Sequence, residues 1–111
     1  MQSNLFEIDL PDNIKINAKV SYNRCSKWLV CLHGLGEHLD YHSYLNNRLK
    51  KSYNILQFDL RGHGRSGGQR GWIDNFWQFS LDLQEVLSWL TKNWSANDIS
   101  FFAHSMGSII L

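Results

Sequence analysis

The sequence predicts an α/β fold in which an antiparallel N-terminal hairpin leads into a βαβαβ run with parallel strands. Three observations carry this reading. Two segments alternate apolar and polar residues around a turn, three compact apolar runs do not alternate, and the stretches between those runs repeat apolar residues at helical spacing. Such a succession implies right-handed crossovers, with helices lying on the sheet faces.

Taken in order, LFEIDL (5–10) and IKINAKV (14–20) flank Pro11, Asp12 and Asn13 and read as a hairpin at the sheet edge. KWLVCLHG (27–34) is a continuous apolar run closed by glycine, as expected of a strand covered on both faces. Over 41–51, Tyr41, Tyr44, Leu45 and Leu49 recur at helical spacing with basic residues in the last turn. YNILQFDL (53–60) is another buried strand, and it runs into the glycine-rich loop RGHGRSGGQRG (61–71). Asp74 or Asn75 is placed to cap a second helix, whose stripe is Phe76, Phe79, Leu83, Val86, Leu87, Leu90 and Trp94. ISFFA (99–103) is a last short strand ending at a serine.

Composition narrows the function classes. A chain of 111 residues with 43% hydrophobic content suits one soluble globular unit, and its net charge of +1 singles out neither nucleic acid nor an anionic membrane. Cys25 and Cys31 form neither a CxxC pair nor a disulfide framework and read as reduced thiols. MQSNLFEIDLPDN lacks the charged and apolar regions of a signal peptide, and no apolar run is long enough to span a bilayer, so a cytoplasmic location is expected.

Three unusual stretches fall at carboxyl strand ends, where such sheets gather their chemistry: HGLGEH (33–38), DLRGHGRSGGQRG (59–71) and AHSMG (103–107). In AHSMG, Ser105 sits between small residues at −2 and +2, as in the G-x-S-x-G elbow that lifts a nucleophilic hydroxyl above the sheet. A serine that merely caps a helix would fit the same five residues. HGLG supplies the companion feature, a turn after the third strand able to expose the Leu35 N–H; with that of Met106 it would form an oxyanion hole. Gly62, Gly64 and Gly67 literally match G-x-G-x-x-G, but the next helix starts too far on to face a pyrophosphate, so no dinucleotide is expected. Arg61, Arg65 and Arg70 are weak grounds for a nucleic-acid patch. His33, His38, His42, His63 and His104 invite a metal reading, yet neither HExxH order nor zinc spacing is present. No metal and no cofactor is therefore expected.

HGLGEH, FDLRGHGRSGG, QRGWIDNFWQFSLDL and AHSMGS, in that order, resemble the α/β-hydrolases of the monoacylglycerol lipase and lysophospholipase type, grouped by sequence with the serine aminopeptidases. The likeness runs from about Lys27 to the end of the chain. It implies that residues 1–111 are the N-terminal portion of one α/β-hydrolase domain, cut after the nucleophile elbow. By the same resemblance Ser105 is the nucleophile, Leu35 and Met106 donate the oxyanion-hole N–H groups, and His33 and Gly34 shape that loop. Asp59, Arg61, Gly62, His63 and Gly64 brace the loop below, and Asp82 is an acid of the helix rather than of the triad. Ala103, Ser108 and the Tyr41-His42 pair depart from the usual pattern, but no catalytic atom is removed.

The implied activity is hydrolysis of lipid carboxylic esters, such as monoacylglycerols or lysophospholipids, through an acyl-enzyme. Because the triad runs Ser, then acid, then His along such chains, the acid and base are expected beyond Leu111 and the 111 residues alone are expected to be inactive. The implied partner is a small-molecule or lipid ester, with transient membrane-surface contact by the full-length protein, no nucleic acid, and self-association of the fragment through an open strand edge. The rival expectation is a noncatalytic truncated fragment or interaction module.

Overall fold

The computed structural model describes residues 2–34, 37–42, 44–71 and 75–104. Strand β1 (Gln2–Asp9) pairs antiparallel with β2 (Lys15–Tyr22) in a register running from Gln2↔Tyr22 to Asp9↔Lys15. The turn closes through Leu10 N–H to Ile14 O at 2.9 Å and Asn13 N–H to Leu10 O at 3.0 Å. Asn13 has φ 68°, a left-handed conformation that asparagine tolerates better than most side chains.

The apolar runs become β3 (Trp28–Leu32) and β4 (Asn54–Phe58), buried at all five positions each. They pair in parallel from Trp28↔Asn54 to Leu32↔Phe58, and β5 (Ile99–Ala103) pairs in parallel with the other side of β3. The sheet order is β1-β2-β4-β3-β5. The chain thus leaves β3 for β4 on one side and returns to β5 on the other, so the strand order reverses at β3. In open parallel sheets the crevice at such a reversal, at the carboxyl ends of the strands, is where ligands bind.

Pleating sends alternate residues to opposite faces. Trp28, Val30, Leu32, Leu56 and Phe58 join Phe79, Leu83, Val86 and Leu90 of helix α2 (Trp77–Trp94) in the main core. Leu29, Cys31 and Ile55 point the other way, onto Leu45 of the short helix α1 (Tyr44–Leu49). A 3₁₀ turn over Leu39–His42 precedes α1, so the helix expected over 41–51 is divided at its start.

The second helix also starts later than its stripe suggested. Phe76 occupies the N-cap position without a side-chain cap bond and is 42% exposed, outside the core. Asn75 still contributes, its Oδ1 accepting the Trp77 N–H at 2.9 Å; Asp74 lies outside the described residues. At the other end Ser95 adopts φ 55° and donates its N–H to Thr91 O at 3.0 Å, closing the last turn in the left-handed manner common at helix ends. No helix among the described residues is long and apolar enough to cross a membrane.

Replacing Leu90, which is fully buried, with alanine is expected to cost roughly 2–5 kcal/mol in urea unfolding. Leu81→Ala, on the open face of the same helix, is expected to stay within about 0.5 kcal/mol. Equal costs would contradict the orientation of α2.

Candidate active site

The parallel register sets the site. Leu32 is opposite Ala103, and the His104 N–H extends the ladder to Leu32 O at 3.2 Å. The chain therefore emerges from β3 and β5 side by side, and the HGLGEH turn stands next to His104, the residue immediately before Ser105. Ser105, Met106 and Leu35 themselves lie outside the described residues.

His33 is 2% exposed and its ring is pinned at both nitrogens. Nε2 accepts the Leu60 N–H at 2.8 Å, which requires Nδ1 to carry the proton that it gives to Gly34 O at 2.7 Å. Burial holds the imidazole below its ordinary value near 6.5, only partly opposed by the Gly34 carbonyl. His33 is accordingly a neutral strut joining the turn after β3 to the loop after β4, without a free lone pair to act as a base. Farther along the same turn, the Gly34 N–H donates to Glu37 Oε1 at 2.7 Å and the Glu37 N–H to Gly34 O at 3.1 Å. That first bond is the main reason the Glu37 carboxyl lies below the usual carboxylate range, with His42 and His104 adding to it.

Behind the turn lies Asp59, 2% exposed. Its Oδ1 accepts the Leu39 N–H at 2.7 Å; its Oδ2 accepts the Arg65 N–H at 2.9 Å and Asn17 Nδ2 at 3.0 Å. A Cβ on Gly64, at φ +51°, would fall 2.3–2.5 Å from this carboxylate. The glycine is required there because the backbone must turn in the left-handed region directly against a buried side chain. Ser66 Oγ donates to Asp59 O at 2.6 Å and accepts the Asn17 N–H at 2.9 Å, tying the same loop to β2.

Two arginines of the glycine-rich loop, Arg61 and Arg70, are used structurally. Arg61 makes a bidentate pair with Asp82 of α2, Nε to Oδ2 at 2.9 Å and Nη2 to Oδ1 at 3.0 Å, and reaches Asp12 with Nη1 at 2.7 Å. These bonds raise the Arg61 pKa further and lower that of Asp12. Arg70 folds back on the carbonyls of Gly64 and Ser66. The G-x-G-x-x-G match is a self-bonded turn, with Gly62 N–H to Gly67 O at 2.8 Å and Gly71 N–H to Gly62 O at 2.9 Å. Helix α2 begins six residues after Gly71, so its N-terminus does not open from that turn.

Several functional contacts were invisible in the sequence. Asp82, read only as an acid of the helix, anchors Arg61; Asp12 and Asn17 come from the distant hairpin; and Glu37 meets both His42 and His104. Asp82, Asp12, Asn17 and His104 carry no local signature, because each is brought to its partner by the tertiary fold. Cys31 is buried among apolar neighbours, which push its thiol up to about 12 and leave it protonated.

Residues 24–111 match the family model described as serine aminopeptidase, S33. The chain is 30% identical to rat monoglyceride lipase over 92% of its length and 31% identical to the mouse protein over 92%. It spans 36% of the length of each of these curated relatives. Among solved structures, an esterase of Pyrococcus furiosus superposes with a TM-score of 0.86 at 29% identity, over 98% of this chain and 45% of that one.

Two outcomes are expected of this geometry. Gly64→Ala should destabilise the fold by clearly more than the roughly 1–2 kcal/mol of a left-handed backbone penalty, whereas Gly71→Ala, with nothing within 4 Å of its added Cβ, should show that penalty alone in denaturant unfolding. His33 is expected to set part of the acid limb. With its folded pKa depressed, the unfolded chain binds the additional proton, so stability is held at neutral pH and falls as pH drops below the ordinary value. His33→Asn should flatten the dependence of the urea midpoint between about pH 7 and pH 5.

Proposed function

The chain belongs to the serine aminopeptidase S33 family of α/β-hydrolases, and from that premise we propose that it is the N-terminal portion of one hydrolase domain cleaving lipid carboxylic esters such as monoacylglycerols or lysophospholipids. The observation that carries the proposal is the juxtaposition of the two strand ends: Leu32 beside Ala103, with the HGLGEH turn and the residue before Ser105 emerging together.

In this reading Ser105 Oγ attacks the ester carbonyl carbon while a histidine base takes the hydroxyl proton. The Leu35 and Met106 N–H groups bind the oxyanion. Collapse of the tetrahedral intermediate expels the alcohol, which leaves with that proton, and water then attacks the acyl-serine in the mirror sequence to release the carboxylic acid. His33 cannot supply the base, since both its nitrogens are committed, and residues 106–111 hold neither an acid nor a histidine. We therefore assign the triad acid and base to sequence following residue 111, in the order Ser, acid, His. The substrate reading also entails transient contact of the longer protein with lipid surfaces.

A fluorogenic monoacyl ester tests this on two lengths of chain. The 111 residues alone are expected to turn over no faster than their Ser105→Ala variant, because a serine without a base stays protonated. Extension through a segment carrying an Asp and a His should give turnover that Ser105→Ala lowers by about 10⁶-fold. Serine-dependent turnover by the short chain would overturn the placement of the base, and its absence from the extended one would overturn the hydrolase reading.

A further inference from the structure

Beside the proposed serine site, one group of side chains has the composition of a ligand set. Glu37, from the turn after β3, faces two imidazoles: its Oε1 lies 3.3 Å from both His42 Nε2 and His104 Nδ1. All three donor atoms fall within 4.8 Å of one another.

We propose that Glu37, His42 and His104 form a binding site for a divalent transition-metal ion of the zinc class. Four-coordinate zinc takes nitrogen and carboxylate oxygen at about 2.0–2.2 Å, which sets its ligand atoms roughly 3.3–3.5 Å apart. The two carboxylate-imidazole edges already have that spacing. The imidazole-imidazole edge closes by a movement of roughly 1 Å of the His104 side chain, which is 50% exposed and able to move. The other two ligands are held more firmly. Glu37 and His42 side chains are 16% and 12% exposed; Glu37 is oriented by the Gly34 N–H, and the His42 carbonyl accepts Gln57 Nε2 at 3.1 Å. The His42 ring also stands edge-on to Phe102, with centroids 5.4 Å apart. Such support behind the ligands keeps a metal site in shape.

The donor set decides the class of ion. Two imidazoles with one carboxylate, open to solvent at the His104 side, suit zinc, cobalt or nickel with water completing the shell, whereas calcium and magnesium favour all-oxygen shells. An ion here would bridge the turn after β3 to the end of β5, across the mouth in which Ser105 is proposed to act. The inference stands on the three side chains and is read out by metal binding alone, independently of any esterase activity.

Calorimetric titration of the chelator-stripped full chain with zinc chloride tests it, with cobalt(II) absorption as a second readout. One ion per chain is expected, together with a visible cobalt band of a nitrogen-oxygen site. His42→Ala and His104→Ala should each weaken binding by roughly 100-fold or more, the upper end of what loss of even an outer-sphere partner costs. His38→Ala, a neighbour outside the set, should leave affinity within about twofold. Glu37→Gln keeps the size of the side chain and an oxygen for the Gly34 N–H, and circular dichroism identifies any variant that has not folded; it too should lose the cobalt band. Absence of stoichiometric binding, binding that survives both His42→Ala and His104→Ala, or equal loss in His38→Ala would overturn the assignment.

Discussion

The buried carboxylate of Asp59 is the constraint on which the rest of this structure depends. A carboxyl group removed from water is tolerated only when hydrogen bonds replace its hydration, and here the donors come from three separate stretches: Leu39 after the β3 turn, Arg65 in the glycine-rich loop and Asn17 on β2. Among the described residues, none of these donors is a cation. The nearest arginine by sequence, Arg61, is turned away to Asp82 and Asp12. Since two of the three donors are backbone N–H groups, the carboxylate fixes main-chain positions rather than side-chain rotamers. Main-chain positions are what a site built from loop N–H donors needs.

His33 completes that arrangement from the other direction. Asp59 holds the chain after the β3 turn, and His33 holds the chain before it, by accepting the Leu60 N–H. Leu60 and Asp59 are adjacent, so a single short segment at the end of β4 grips both flanks of the HGLGEH turn. Arg61, the next residue, then bolts the segment to α2 through a guanidinium-carboxylate pair whose partner is 3% exposed. Lysine could not reproduce that two-point contact. The consecutive residues Asp59, Leu60 and Arg61 thus tie the turn, the sheet and the main helix into one rigid platform.

These relations explain what was legible in the sequence and what was not. Strand positions were legible because burial on both faces writes uninterrupted apolar runs, and the hairpin because burial on one face writes alternation; β3, β4 and the β1-β2 pair fall where those patterns put them. Helix boundaries were less so. Phe76 fits the periodic stripe of α2 yet sits before its first turn and outside the core, because periodicity registers spacing and says nothing of where hydrogen bonding begins. The expected site residues Leu35, Ser105 and Met106 rest on motifs alone and lie outside the described residues. The meeting of Glu37, His42 and His104 was illegible, since His104 reaches the others only through the pairing of β5 with β3. Side chains drawn from a turn and a strand end leave no spacing to find, and the expectation of no metal rests on the lack of HExxH order and of zinc spacing along the chain.

The departure of Ala103 from the usual glycine two residues before the serine has its own account in the pleat of β5. Ile99 and Ala103 both pack against the main core, and Phe102 against the smaller cluster on the opposite face. The Ala103 methyl is therefore carried toward the α2 side of the sheet, whereas the Glu37, His42 and His104 group gathers with Phe102 on the other side. A glycine at this position would leave that core one methyl short, so here alanine serves packing on one face while the strand end continues into the site. The same alternation explains why His104 reaches Glu37. It follows Ala103 in a ladder that still holds its N–H on Leu32 O, so its side chain takes the face opposite to Ala103, beside the turn that Asp59 and His33 have fixed.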